Sequence, residues 1–484
     1  MNVITILSLI FSTKFVLGAN IILIIADDLD LVLDGMIPLQ NTRNLIGNKG
    51  MNFQNCFVAS PICCPNRASI LTGKYQHNHY VVNNSISGGC YSQQWKTTFE
   101  PNTFASQLKN KMGYTTFYAG KYMNQYGVNR DFSVPPGWDW WAALVGNSKY
   151  YNYSLSINGT QYAFRDRDTD YLTDSISRMA ANFIKTRRSD ENPFLMVLAP
   201  PAPHAPFTPA TRHNDRYKDT KAKKTGNFNT PMQKDKHWLI RMGPSPLPES
   251  ILPRLDEVYR RRFETLLAVD ELVLNVHKSL TNANLLNNTY IIFTSDNGYH
   301  IGQFSMSIDK RQPYETDIRV PLMIRGPGIS PKTVIAPVSS VDLYATILMI
   351  AGIEAPSDGT SLIDTLPLDR TLLIEYRGEH SVGLPSSGCP TDADPNLQSC
   401  SKFYGCKCQD VANNTYACIR RVSKKYNNVF CVFEDDEAYI EAYDLNSDVD
   451  QLNNIGKTMK RGKRYKFRRR LKNMSICQNS GCMR

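Results

Sequence analysis

Four short apolar runs, at residues 20–25, 114–118, 194–199 and 290–294, read as buried strands separated by helix-like stretches. That alternation over the first three-quarters of the chain is the pattern of an α/β domain built on a largely parallel sheet. Each run ends on polar residues: Asp27-Asp28, Gly120-Lys121, a proline-rich turn carrying His204, and Asp296-Asn297-Gly298. In open α/β sheets ligands bind beyond the carboxyl ends of the strands. Four separate strands are therefore expected to bring polar side chains to one edge.

At 484 residues the chain is too long for one small core, so a large domain plus a smaller one is expected. Composition shifts toward Cys, Asn and Tyr near residue 373, which places a catalytic domain over 19–373 and a smaller, stapled, strand-containing domain over 374–484. Eight of the twelve cysteines fall in the latter: Cys389, Cys400, Cys406, Cys408, Cys418, Cys431, Cys477 and Cys482. An even, clustered set reads as a disulfide framework formed in an oxidising compartment. Cys406-Lys407-Cys408 has neither the C-x-x-C spacing nor the His companions of a zinc site.

The start of the chain agrees with that compartment. Residues 4–11 are mostly apolar and Val16-Leu17-Gly18 is a small-residue exit, so residues 1–18 read as a signal peptide. Lys14 and Asp27-Asp28 keep both apolar runs short of the ~20 residues of a membrane span. Sequons for N-glycosylation occur at Asn83, Asn152, Asn158, Asn287, Asn413 and Asn473. A soluble protein of the secretory pathway, lysosomal or secreted, is expected.

The net charge of +11 permits a polyanionic partner without choosing among nucleic acid, anionic membrane and acidic polysaccharide. Residues 457–472 hold ten Lys and Arg and no acid, which favours polyanion binding over a merely solvated helix. The polar stretch 208–248 has the length of a functional or disordered loop. Its His237, Trp238 and Arg241 are residue types that hold sugars and anions; a solvated loop with one packed Trp is an equal reading.

Cys63-Cys64-Pro65-Asn66-Arg67, followed by Leu71-Thr72-Gly73-Lys74, resembles the signature of the sulfatase family. So do Ile318-Arg319-Val320-Pro321-Leu322, Arg325-Gly326-Pro327-Gly328, Asp358-Gly359-Thr360-Ser361-Leu362 and Tyr443-Asp444-Leu445. Without that context Cys63 would be read as a disulfide partner. The resemblance implies an alkaline-phosphatase-like fold, with a large mixed, mostly parallel sheet between helices and an antiparallel sheet in a smaller C-terminal domain. It also implies that a formylglycine-generating enzyme of the endoplasmic reticulum oxidises Cys63 to formylglycine, whose aldehyde hydrates to a diol. One hydroxyl attacks sulfur to form a covalent sulfate ester. The other then loses its proton, and collapse of the hemiacetal expels sulfate, a step serine cannot take.

By the same resemblance, Asp27, Asp28, Asp296 and Asn297, with the oxygen of residue 63, hold a divalent metal. Hard oxygen ligands suit Ca2+, which lowers the nucleophile's pKa and clamps the sulfate oxygens. Asp296 is also the expected base toward the nucleophile. Arg67, Lys121, His204 and Lys310 are expected to neutralise the sulfate and the charge that develops on it. Gly73-Lys74-Tyr75, His77-Asn78-His79, residues 236–241 and Asp296-Asn297-Gly298-Tyr299-His300 are similar to the branch that removes 6-O-sulfate from N-acetylglucosamine in heparan and keratan sulfate.

A sulfated glycosaminoglycan substrate is thus expected, with no nucleic acid and no membrane span. Two positions depart from the family pattern: Asn66 replaces the usual Ser or Ala, and Met123 replaces a His found two residues after the strand-end lysine. His77, His79 or His300 would then assist hemiacetal breakdown. The alternatives are a heparan sulfate 6-O-endosulfatase-like activity, a phosphatase or phosphodiesterase of the same fold, and a non-catalytic glycosaminoglycan-binding homologue. Phosphatases of that group usually carry more His ligands and a Ser or Thr nucleophile, against eight His in this chain. With Cys63 consumed, the remaining cysteines are expected to pair as Cys64 with Cys90 and the last eight among themselves, leaving Cys56 free.

Overall fold

The computed structural model describes residues 18–189, 191–379, 405, 407 and 409–483. The four apolar runs are neighbours in one ten-stranded sheet. Thr289–Ser295, Asn20–Ala26, Phe194–Ala199, Thr115–Gly120 and then Trp140–Leu144 lie side by side and parallel. Asn20–Ala26, Phe194–Ala199 and Thr289–Ser295 are buried along their whole length. Helices cover both faces, so these strands are continuously apolar instead of alternating.

Alternation survives in which face each residue serves. Ile21, Leu23 and Ile25 join one core with Ala68, Phe104 and Ile347, from the Cys63–Thr72, Phe104–Met112 and Asp342–Ile350 helices. Ile22 and Ile24 join the other with Ile176 and Val269, from Leu172–Lys185 and the long Leu252–Asn282 helix. Antiparallel pairings flank the parallel centre on both sides, and Lys332–Val334 adds a parallel edge strand beside Met51–Phe53. Leu322–Arg325 pairs with Thr289–Ser295 and Met51–Phe53 on one side, and Ser154–Ile157 with Trp140–Leu144 on the other. The sheet is mixed and mostly parallel, as expected.

A second, four-stranded antiparallel sheet comprises Arg370–Tyr376, Tyr416–Val422, Asn427–Phe433 and Ile440–Asp444. Its first strand spans the expected boundary at residue 373. Cys418 and Cys431 face one another in register and form a disulfide. Cys477–Cys482 and Cys64–Cys90 are the other described bridges, with Cys56 and Cys63 free and buried. Cys389, Cys400, Cys406 and Cys408 lie outside the described residues, as does the expected signal peptide up to residue 17. Among the described residues no helix is long and apolar enough to cross a membrane.

The stretch 208–248 is not a free loop. Lys236 donates to the Tyr443 hydroxyl at 2.7 Å, His237 stacks on Phe433 at 4.1 Å, and Trp238 Nε1 donates to the Asn413 carbonyl at 3.0 Å. These side chains tie the stretch to the second sheet, which favours the packed reading of Trp238 over a sugar-holding one.

Candidate active site

The strand ends converge as the fold rule requires. Asp27 and Asp28 follow the central strand, and Asp28 takes φ 69°, a left-handed conformation that Asp tolerates better than most residues. Its N–H bonds Asp296 Oδ1 at 3.0 Å, while Asn297 Nδ2 donates to Asp28 Oδ1 at 2.7 Å. The adjacent strand ends are thereby locked to each other.

The Cys63–Thr72 helix is buried along its whole length and points its first residue at this pair. Cys63 Sγ lies 3.8 Å from both Asp27 Oδ1 and Asp28 Oδ1. The helix ends at Gly73, with φ 66°, where a Cβ would stand 2.6 Å from Ser357 Oγ; the motif's glycine is a steric requirement. Asn66 has a structural task that Ser or Ala could not perform. Its Nδ2 donates to the Asp296 carbonyl at 2.5 Å, and its Oδ1 accepts from Ala59 N at 3.1 Å and Ser340 Oγ at 2.6 Å.

Cations surround the carboxylates. Lys121 Nζ is 2.9 Å from both oxygens of Asp27, and Lys310 Nζ is 2.7 Å from both oxygens of Asp28. Arg67 Nε donates to Asp296 Oδ2 at 2.8 Å, and its Nη1 to the Lys121 carbonyl at 2.8 Å. His204 Nε2 is 3.9 Å from Asp28 Oδ2, and its Nδ1 is 2.7 Å from the Ala205 carbonyl. All nine predicted site residues, from Asp27 to Lys310, are therefore brought together in one cluster.

Electrostatics follow from burial and these partners. Burial raises the Asp27 and Asp28 carboxyls, but Lys121 for Asp27 and Lys310 for Asp28 outweigh it and hold both below the usual range. Asp296 goes the other way, to about 6, because burial outweighs Arg67. Burial pushes the Cys63 thiol up to about 12, so the unmodified thiol is a poor nucleophile. Burial also lowers His204 to about 4, which keeps the ring neutral.

One ligand atom each from Asp27, Asp28, Cys63 and His204 fall within 4.8 Å of one another. Asn297 Oδ1 is buried beside them with no hydrogen-bond partner. Carboxylate and amide oxygens gathered with an orphaned buried oxygen fit a hard divalent cation.

Sequence reasoning missed three supports. Ser148, beyond the end of the Trp140–Leu144 strand, makes a short hydrogen bond to Asp27 Oδ2. Arg262, on the long helix, donates to the Asp28 carbonyl and to Asp30 Oδ1, both at 2.8 Å. Arg311 bridges Asp309 at 2.6 Å and Glu379 at 2.9 Å, and Glu379 accepts from Asn84 N at 2.9 Å. The strand-end rule would have found Ser148 had the apolar run at 140–144 been read as a strand; Arg262 and Glu379 carry no local signal.

Other expectations change. His77 is held by Glu375 and the Cys477 carbonyl, His79 by Ser69, and His300 by Asp317 and Gln409. None of the three joins the cluster; His204 does. Asn152, Asn158, Asn287 and Asn473 are exposed and Asn413 half-buried. Asn83 is a correction: it is buried, its Oδ1 accepting from Ser85 N and Oγ, and it offers no room for a glycan.

The described Sulfatase family matches residues 19–353 of the chain. The chain is 45% identical over 478 residues, 96% of its length and 85% of the relative's, to N-acetylglucosamine-6-sulfatase of Homo sapiens. It is 37% identical over 387 residues, 78% of its length and 34% of the relative's, to the extracellular sulfatase SULF-1 homolog of Drosophila melanogaster. Among solved structures, BT4656 in complex with its substrate D-glucosamine-2-N,6-O-disulfate shares the fold with a TM-score of 0.72 at 22% identity, covering 94% of this chain and 97% of the other.

Proposed function

The chain belongs to the sulfatase family of sulfate ester hydrolases, and from that premise we propose that it removes 6-O-sulfate from N-acetylglucosamine units of heparan and keratan sulfate. The observation that carries the reading is the single cluster of Asp27, Asp28, Cys63 and His204 with Lys121 and Lys310 against its carboxylates. Identity over nearly the whole chain with N-acetylglucosamine-6-sulfatases supports the substrate.

Residue 63, converted to formylglycine by the formylglycine-generating enzyme, supplies a hydrated aldehyde as the nucleophile. Asp27, Asp28, Asp296 and Asn297 would hold Ca2+ beside it, a charge that polarises sulfate oxygens. The residues themselves set the rest. The ten-residue helix starts at residue 63, so its positive end favours an anion there. Lys121, Lys310 and Arg67 bring three fixed cations against a sulfate and the charge it develops. Asp296, held up to about 6 by burial, takes the nucleophile's proton. With His204 Nδ1 donating to the Ala205 carbonyl, Nε2 is the ring's unprotonated atom, so it must first take up a proton before it can pass one to the leaving alcohol.

The signal-like residues 1–18 and the accessible sequons Asn152, Asn158, Asn287, Asn413 and Asn473 support delivery through the secretory pathway to the lysosome or the exterior. The catalytic domain is taken as residues 19–373, which end within the Arg370–Tyr376 strand, and residues 374–484 as the smaller domain. The test is sulfate release from N-acetylglucosamine 6-sulfate compared with an iduronate 2-sulfate substrate. The first is hydrolysed in preference; the reverse order overturns the substrate assignment.

A further inference from the structure

One large feature of the chain lies apart from the catalytic cluster. Ten of the chain's 55 Lys and Arg lie in residues 457–472 with no acid, which leaves 45 basic residues against 44 acidic ones elsewhere. The net charge of +11 is almost wholly local. The Arg461–Met474 helix carries most of it.

One face of that helix is occupied. Phe467 stacks on Phe430 with ring centroids 5.2 Å apart, and Leu471 and Met474 are buried in a cluster with Leu373 and Ile419. The opposite face is solvent. Arg461, Tyr465, Arg468 and Lys472 follow at spacings of four, three and four, which puts them on one line about 17 Å long. Arg469 lies beside it. All five are exposed, Tyr465 by 67%. The Asn473 sequon is off this line, one turn beyond Arg469, so a glycan there borders Arg469 and leaves Arg461, Tyr465 and Arg468 open.

This arrangement works against the helix. Arg461, Lys463 and Arg464 crowd the first turn, where the macrodipole disfavours cations. Arg464 with Arg468 and Arg468 with Lys472 are like charges at i,i+4, which destabilise a helix. Among the described residues none of Arg461, Arg468, Arg469 and Lys472 has an ion-pair partner. A row of uncompensated cations on a rigid, docked helix fits an external linear polyanion.

We propose that this stripe is a docking site for a sulfated glycosaminoglycan chain, separate from the catalytic cluster, that holds the polymer while its end is desulfated. The identity of the polyanion rests on the sulfate-ester reading above. A lipid surface fits less well, because the apolar face that an interfacial helix would insert is packed on the sheet.

The test uses the full-length protein carrying R461Q, R468Q, R469Q and K472Q together, with heparin as the probe. Apparent affinity for heparin at moderate salt falls at least tenfold, and the slope of log Kd against log salt drops by roughly three, at about 0.7–0.9 ions per contact. kcat/KM falls severalfold on a sulfated oligosaccharide and is unchanged on N-acetylglucosamine 6-sulfate. Unchanged heparin affinity overturns the proposal, as does a loss confined to phosphatidylserine vesicles. Heparin binding through the stripe by a protein that releases no sulfate supports the docking site while defeating the catalytic reading, so the two failures separate.

Discussion

Asn66 Nδ2 donates to the main-chain oxygen of Asp296 at 2.5 Å, tying the helix that begins at Cys63 to the strand end that supplies Asp296 and Asn297. The same side chain accepts from Ala59 and Ser340. The residue that departs from the family motif is thus a clamp between two halves of the site. Asn66→Ala leaves the buried Asp296 carbonyl without its side-chain donor and the Ser340 hydroxyl without its acceptor, at a cost of about 1–3 kcal/mol. Denaturant titration reads it as a lower midpoint with unchanged slope; an unchanged midpoint refutes the clamp.

Lys310 is the second point of leverage. Lys310→Ala removes a cation from the sulfate site and is expected to lower kcat by about 10²–10³. It also leaves the Asp28 carboxylate without its nearest counter-charge, so a stability measurement on the same variant accompanies the kinetics. Near-normal kcat in a folded variant contradicts the role.

His77 joins the Cys63 region to the C-terminal tail through Glu375, 2.8 Å away, and the Cys477 carbonyl, 2.9 Å away. Burial lowers its pKa, but the Glu375 hydrogen bond and charge and the Cys477 carbonyl outweigh it, and the net shift is upward. The protonated ring therefore stabilises the fold fully below the unfolded value near 6.5, and that contribution is lost as pH rises through the raised folded value. His77→Gln should depress the melting temperature more at pH 5 than at pH 8. An equal loss at both is the contrary result.

Cys418–Cys431 closes a loop with a sequence separation of 13 across adjacent strands. Replacing both cysteines by alanine is expected to cost about 3 kcal/mol of stability, chiefly by freeing the unfolded chain. Activity below the new midpoint stays unchanged, because the bridge lies in the second sheet. A loss of kcat without a loss of stability would contradict that separation.

Much of this was legible in the sequence for one physical reason. The runs at 20–25, 114–118, 194–199 and 290–294 are buried on both faces, so each shows as an unbroken apolar block ending on the polar residues of the site. What was not legible depends on contacts far apart in the chain. Arg262 sits mid-helix among ordinary helical residues, and only packing brings it to the Asp28 carbonyl. Glu379 and Arg311 meet across a separation no pattern reports. The strands in the antiparallel pairings are three or four residues long, too short to stand out. His237 and Trp238 have the composition of a sugar site, and only the second sheet beneath them reveals them as packing residues.

The proposed chemistry turns on residue 63. Its thiol is buried, pushed up to about 12 by that burial, and set 3.8 Å from two carboxylates, an arrangement useless to a thiol nucleophile and suited to an oxygen one. Mass spectrometry of the peptide spanning residue 63, from protein made in eukaryotic cells, tests this directly. The predicted result is a formylglycine aldehyde at that position, with Cys63→Ser protein unable to turn over. A free cysteine there in fully active enzyme would contradict the account.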